Sequence, residues 1–91
     1  MDTEKLKALK KQANALKPII IIGQNGITDS VIAEIDRALY DHELIKIRIN
    51  ASDHFERQEF VGEILSRTQC ELVNTIGHVA SFYRYSSKDK D

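Results

Sequence analysis

Hydrophobic and polar residues follow two periods along this chain, one helical and one alternating. Near the N-terminus, Leu6, Leu9, Ala13 and Leu16 recur at helical spacing and, at about 100° per residue, fall within an arc of roughly 80°. Lys7, Lys10, Lys11, Asn14 and Lys17 occupy a separate arc of about 120° on the same wheel. The pattern predicts a first helix that packs one face and presents ammonium groups on another. Pro18 disfavours helical geometry in the residue before it, so this helix is expected to end at Lys17. Pro18 then opens a strand over Ile19 to Ile22, whose β-branched residues point to both faces and predict cover on both sides.

Gly23 and Gly26 follow that strand, and Thr28 is placed to cap a second helix with a core stripe of Val31, Ile35, Ala38 and Leu39. Ile27 and Ile32 sit at the two ends of a hydrophobic staple. His42 and Glu43 lead into LIKIRIN, where Ile45, Ile47 and Ile49 alternate with Lys46 and Arg48: a strand with one buried face and one basic face. Asp53 followed by Glu56 resembles a capping box for a third helix, with Phe60, Val61, Ile64 and Leu65 on its apolar side. Gly62 inside that helix costs about 1 kcal/mol relative to alanine, which suggests a close packing contact. CELVNTI and VASFYRY flank Gly77 and His78, a pair suited to a type II′ hairpin turn. The resulting order, αβαβαββ, predicts an α/β fold with a mixed sheet and helices on at least one face.

Composition narrows the setting. At 91 residues, 42% apolar and 30% charged, the chain is expected to form one globular domain over residues 1–85, with 86–91 a disordered tail that has nothing to bury. The longest apolar run, Ile19 to Ile22, is far short of the roughly 20 residues that span a bilayer. The N-terminus is too charged for a signal peptide, so a cytoplasmic protein with no membrane partner is expected. Cys70 is the only cysteine and fits a small core residue better than a nucleophile. The net charge of −1 hides an asymmetry: residues 1–17 carry five lysines against Asp2 and Glu4, while the remainder is net acidic. A local positive patch of this kind can steer an anionic partner.

The glycine pair lies between a strand and a helix N-terminus, where unpaired N–H groups and the helix dipole favour an anion. Gly23 and Gly26 allow close backbone approach, and Gln24 and Asn25 offer amide donors, which together make a candidate phosphate cradle. The spacing matches neither the P-loop nor the dinucleotide pattern. Taken alone, GxxG is also what a simple turn would use. It is, however, the backbone clamp of KH-type RNA-binding domains. Here it follows a lysine-rich segment ending in Lys17, with Lys46 and Arg48 on the next strand and Arg84 beside Tyr83 and Tyr85. Basic groups interleaved with aromatic rings suit single-stranded RNA.

LKPIIIIGQNGIT, AEIDRAL, HELIKIRI and IGHVASFYR together resemble a bacterial single-domain member of the CRM family (chloroplast RNA splicing and ribosome maturation), the YhbY type, from about Leu6 to Arg84. The resemblance implies a two-layer sandwich with a four-stranded mixed sheet, similar to the C-terminal domain of bacterial translation initiation factor three. It implies a non-catalytic RNA-binding protein that associates with ribosomal RNA in precursors of the large subunit, with no cofactor and no small-molecule substrate. The motif residues that carry over are Lys17, the loop Gly23, Gln24, Asn25 and Gly26, and Lys46, and the charge pattern adds Lys7, Lys10, Arg48 and Arg84 to the expected site. The family usually has a lysine after the hairpin glycine, whereas this chain has His78, mostly neutral at pH 7 given an ordinary pKa of about 6.5.

His42, His54 and His78 lie on separate elements without paired metal-ligand spacing, and no nucleophile, base and orienting group assemble into an enzyme site. The competing reading is a protein–protein adaptor that uses the basic first helix against acidic partners.

Overall fold

The computed structural model describes residues 1–88 and arranges them as α1 (Thr3–Ala13), β1 (Ile20–Ile22), α2 (Asp29–His42), β2 (Leu44–Ile49), α3 (His54–Thr68), β3 (Glu71–Ile76) and β4 (Val79–Tyr83). Every helix starts on a side-chain acceptor that satisfies one of its orphan N–H groups. Asp2 accepts from the Lys5 N–H at 2.7 Å, Thr28 from Val31 at 3.1 Å and Asp53 from Glu56 at 2.8 Å. Glu56 reaches back to accept from the Ser52 N–H at 2.8 Å, one residue before the Asp53 cap, so the third helix closes on a shifted version of the reciprocal cap that its sequence suggests.

The four strands form one sheet in the order β1-β2-β4-β3, with β1 parallel to β2 and β4 antiparallel to both of its neighbours. A two-residue turn joins β3 to β4, with Gly77 at φ 59 and Ile76 paired with Val79. The register sorts side chains between two faces. Ile20, Ile22, Ile45, Ile47, Ile49, Ala80 and Phe82 point to the face covered by α2 and α3, where they pack with Ile35, Leu39, Val61 and Ile64. α1 lies on the opposite face and buries Leu9 and Ala13 against Leu44, Val73 and Tyr83. Cys70 is buried in the main core, where burial pushes its thiol pKa up despite the Thr68 hydroxyl beside it at 3.1 Å.

Four local expectations change. α1 ends at Ala13 rather than Lys17: Ala15 and Leu16 donate to Gln12 and Ala13 in a tight closing turn, and the chain leaves so that the Ile19 N–H can reach Lys46 O at 3.0 Å. β1 is covered on one side only, leaving Ile21 65% exposed. Gly62 has no close neighbour, since a Cβ there would meet nothing within 4 Å. Ser86, assigned from sequence to a tail with nothing to bury, is itself buried. Its hydroxyl donates to Tyr40 O at 2.6 Å and its N–H to Glu43 at 2.8 Å. Lys88 is tied back too, its ammonium donating to Asp41 at 2.9 Å, and residues 89–91 of the expected tail lie outside the described residues.

Candidate nucleic-acid interface

The glycine loop leaves β1 where Ile22 pairs with Ile49, and it closes when Gly26 N–H donates to Gly23 O at 3.0 Å. Its two glycines have different reasons. Gly26 sits at φ 67, the region that favours glycine, and a Cβ on it would press on the Phe60 ring at 3.3 Å. Gly23 has no positive φ, and a Cβ there would meet nothing within 4 Å. Gln24 and Asn25 are exposed between them, and among the described residues neither backbone N–H has an intramolecular acceptor. Those two donors are available to an external anion. The helix start behind them is partly spent: Thr28 takes the Val31 N–H, and Asp29 adds a carboxylate, which Arg67 neutralises at 2.6 Å.

The basic residues do not form one patch around this loop. Lys17 and Gly23 stand at opposite ends of the β1 segment, roughly 20 Å apart at about 3.3 Å per extended residue. Lys46 lies near the Lys17 end, where its ammonium donates to Leu16 O at 3.2 Å. There it lines a cleft of about 420 Å³ together with Lys17, Gln12 and His42. Arg48 lies near the loop end, directly beside Ile21, with its Nε donating to Asn50 at 3.2 Å. Lys7 and Lys10 are exposed on α1. Lys5 covers the buried Tyr83 ring at 4.6 Å, and hydrogen bonding to Tyr83 raises its ammonium pKa.

Arg84 does not join them. Its guanidinium donates to Asp36 at 2.7 Å, to Thr68 O at 2.8 Å and to Asp36 O at 3.0 Å, tying the end of β4 to α2 and α3. A phosphate would have to displace all three bonds. His78, at the hairpin, has Nδ1 3.4 Å from the Arg57 guanidinium, so this turn does carry a cation, supplied by a helix that the sequence reading did not enlist.

The ion pairs sort the cations by side. Arg37, Arg67, Arg84 and Lys88 all bond to carboxylates on or beside the α2 and α3 layer. Among the described residues, Lys7, Lys10, Lys11, Lys17, Lys46 and Arg48 have no carboxylate within ion-pair distance. Apart from Arg57 at the hairpin, the uncompensated charge therefore lies along α1 and the sheet face it partly covers. The sequence reading also missed the apolar members of that face, Ile21 and Ile76, which are 65% and 64% exposed. The pairing of Ile76 with Val79 across a two-residue turn is the signal that could have located the second.

Among the described residues no three His, Cys, Asp or Glu side chains converge on a metal-sized site, and no helix is long and apolar enough to cross a membrane.

Comparison with known proteins gives a consistent result. A Haemophilus influenzae protein named as an RNA-binding protein is 38% identical over 90 residues, covering 99% of this chain and 91% of its own length. A Pseudomonas aeruginosa protein named "Probable RNA-binding protein" is also 38% identical, over 93% of this chain and 82% of its own. The solution structure of a hypothetical Staphylococcus aureus protein, described as a candidate RNA-binding protein, superposes with a TM-score of 0.84 at 30% identity, covering 99% of this chain and 94% of that one. The family profile described as the CRS1 / YhbY (CRM) domain matches residues 1–84. The chain belongs to the CRS1/YhbY (CRM) domain family.

Proposed function

We propose that this protein binds RNA without catalysing a reaction, and that its target is ribosomal RNA in precursors of the large ribosomal subunit, on which it acts as a cytoplasmic assembly factor. The observation that carries the reading is the distribution of charge: among the described residues the cations of α1 and β2 have no carboxylate partners, while Arg37, Arg67, Arg84 and Lys88 on the helical side are paired and only Arg57, beside His78, is not. Lys7, Lys10, Lys17, Lys46 and Arg48 supply the phosphate contacts, which position RNA without reading its sequence. The Gly23–Gly26 loop adds the Gln24 and Asn25 N–H donors just beyond the end of β1 that pairs beside Arg48. The names of the relatives support RNA as the ligand class. The ribosomal target rests on family resemblance. Sucrose-gradient fractionation of cell extract tests it: the protein is expected with large-subunit precursors and not with mature ribosomes. Recovery solely as free protein at the top of the gradient would refute the ribosomal assignment.

A further inference from the structure

The sheet face opposite α2 and α3 is only half covered. α1, at 11 residues about 16 Å long, lies across the end of the sheet that holds Leu44 and Tyr83. Two further rows of side chains extend beyond it. The nearer contains Lys46, Ser81 and Asn74; the outer is Ile21, Arg48, Val79 and Ile76, each in register with the next. Across four strands this outer row spans roughly 14 Å. Its ends are two isoleucines each about two-thirds exposed, with Ile19 half-exposed just before β1. With Arg48 and the partly exposed Val79 between them, these residues make a mixed aliphatic and basic strip, and an exposed apolar patch with a polar border marks an interaction surface.

Charge identifies the occupant. Arg48 sits inside the row, Lys46 in the row behind it, and neither has a carboxylate partner among the described residues. On the α1 wheel, Lys5, Ala8 and Gln12 face the His42–Leu44 end of the sheet. Lys10 falls on the other flank of the buried Leu9–Ala13 stripe, toward the open rows. Cations around an aliphatic strip match a ligand that carries phosphates and flat apolar faces together. In an A-form duplex the bases are stacked away from such a surface, whereas an unpaired strand can splay them outward.

We infer that the outer row of the open sheet face, Ile21, Val79 and Ile76 around Arg48, receives the unpaired bases of single-stranded RNA, while Arg48 and Lys46 hold its phosphates. This deepens the RNA-binding reading and rests on it. The face adds a base-contacting surface to a phosphate-binding one, and it gives the protein a preference for unpaired segments over duplex.

The test uses the full chain, a short single-stranded RNA of mixed sequence, and the same strand annealed to its complement, with affinity measured across a salt series. Ile21→Thr and Ile76→Thr keep the β-branched shape that strands favour and alter only exposed side chains. The double variant is expected to lose roughly tenfold in affinity for the single strand, the scale of removing two partly buried aliphatic contacts. Its salt slope should equal the parent's, because no phosphate contact is lost, and its duplex affinity should not change. Arg48→Gln, in contrast, should flatten the single-strand slope by about 0.7. If the parent binds the single strand and the double threonine variant binds it equally well, the inference is wrong while RNA binding stands. A parent that binds neither RNA overturns the RNA-binding reading and the inference with it. Sedimentation equilibrium supplies a third outcome: a parent dimer that Ile21→Thr dissolves would show that a second copy covers this face, and would also overturn the inference.

Discussion

Substituting alanine separately at the two loop glycines should give opposite results, although sequence alone treats them as equivalent. At Gly26 an alanine must adopt φ 67, the left-handed region, which costs an L-residue about 1–2 kcal/mol. Its Cβ would also lie 3.3 Å from the Phe60 ring, but that ring is half-buried and can yield by a few tenths of an ångström, so strain dominates. In a domain of this size each kcal/mol moves the melting temperature by roughly 4–8 °C, so Gly26→Ala should unfold about 4–16 °C below the parent. Gly23→Ala meets no atom within 4 Å and no positive φ. It reduces unfolded-state entropy and should be neutral or stabilising by up to about 1 kcal/mol. Gly26→Asn should fall between them, because asparagine tolerates the left-handed region better than alanine. Thermal unfolding followed by far-UV circular dichroism reads all three. Equal melting temperatures for the two alanine variants, or a larger loss at Gly23, would refute this account of the loop. The same geometry makes Gly23, not Gly26, the position at which a side chain can be added to block an anion without straining the fold.

Three further outcomes follow from the packing. Arg84→Met should lose about 1 kcal/mol in chemical denaturation, because it removes the bonds to Thr68 O and to a half-exposed Asp36, yet leave RNA affinity unchanged; a loss of affinity in a folded variant would return Arg84 to the interface. Gly62→Ala should raise stability by about 1 kcal/mol in the same assay, since it removes a mid-helix glycine where a Cβ meets nothing. Cys70, buried and with its thiol pKa raised by burial, should react with a thiol reagent only at the rate of unfolding, and rapid labelling of the native protein would contradict its place in the core.

Caps and periodicity made most of the fold legible. Thr28 and Asp53 mark the starts of α2 and α3, and the alternation of LIKIRI predicts both the buried isoleucines and the basic face of β2. What remained hidden depended on partners distant in sequence. Leu16 continues the apolar spacing of α1, but the pull of β2 on Ile19 ends the helix at Ala13, and Leu16 offers its carbonyl to Lys46 instead. Four consecutive isoleucines cannot reveal which of them is bare. That depends on β1 lying at the sheet edge, with α1 covering only the far end of the face. Arg84 looked like an interface residue because it adjoins two tyrosines, but its partner is Asp36, 48 positions earlier. The residue types of the candidate site were legible, but not their arrangement: the lysines and the loop do not share a patch.

The central claim is that unpaired cations along α1 and β2 bind RNA phosphates, and its most direct test is the salt dependence of binding to a single strand, measured by fluorescence anisotropy. If Lys7, Lys10, Lys17, Lys46 and Arg48 supply about three to five contacts, log K should fall against log salt with a slope of roughly −2 to −3.5. Replacing Lys10 and Lys17 with glutamine should flatten that slope by up to about 1.4, at about 0.7 per lost contact. A parent slope near zero would contradict the account and favour the adaptor reading.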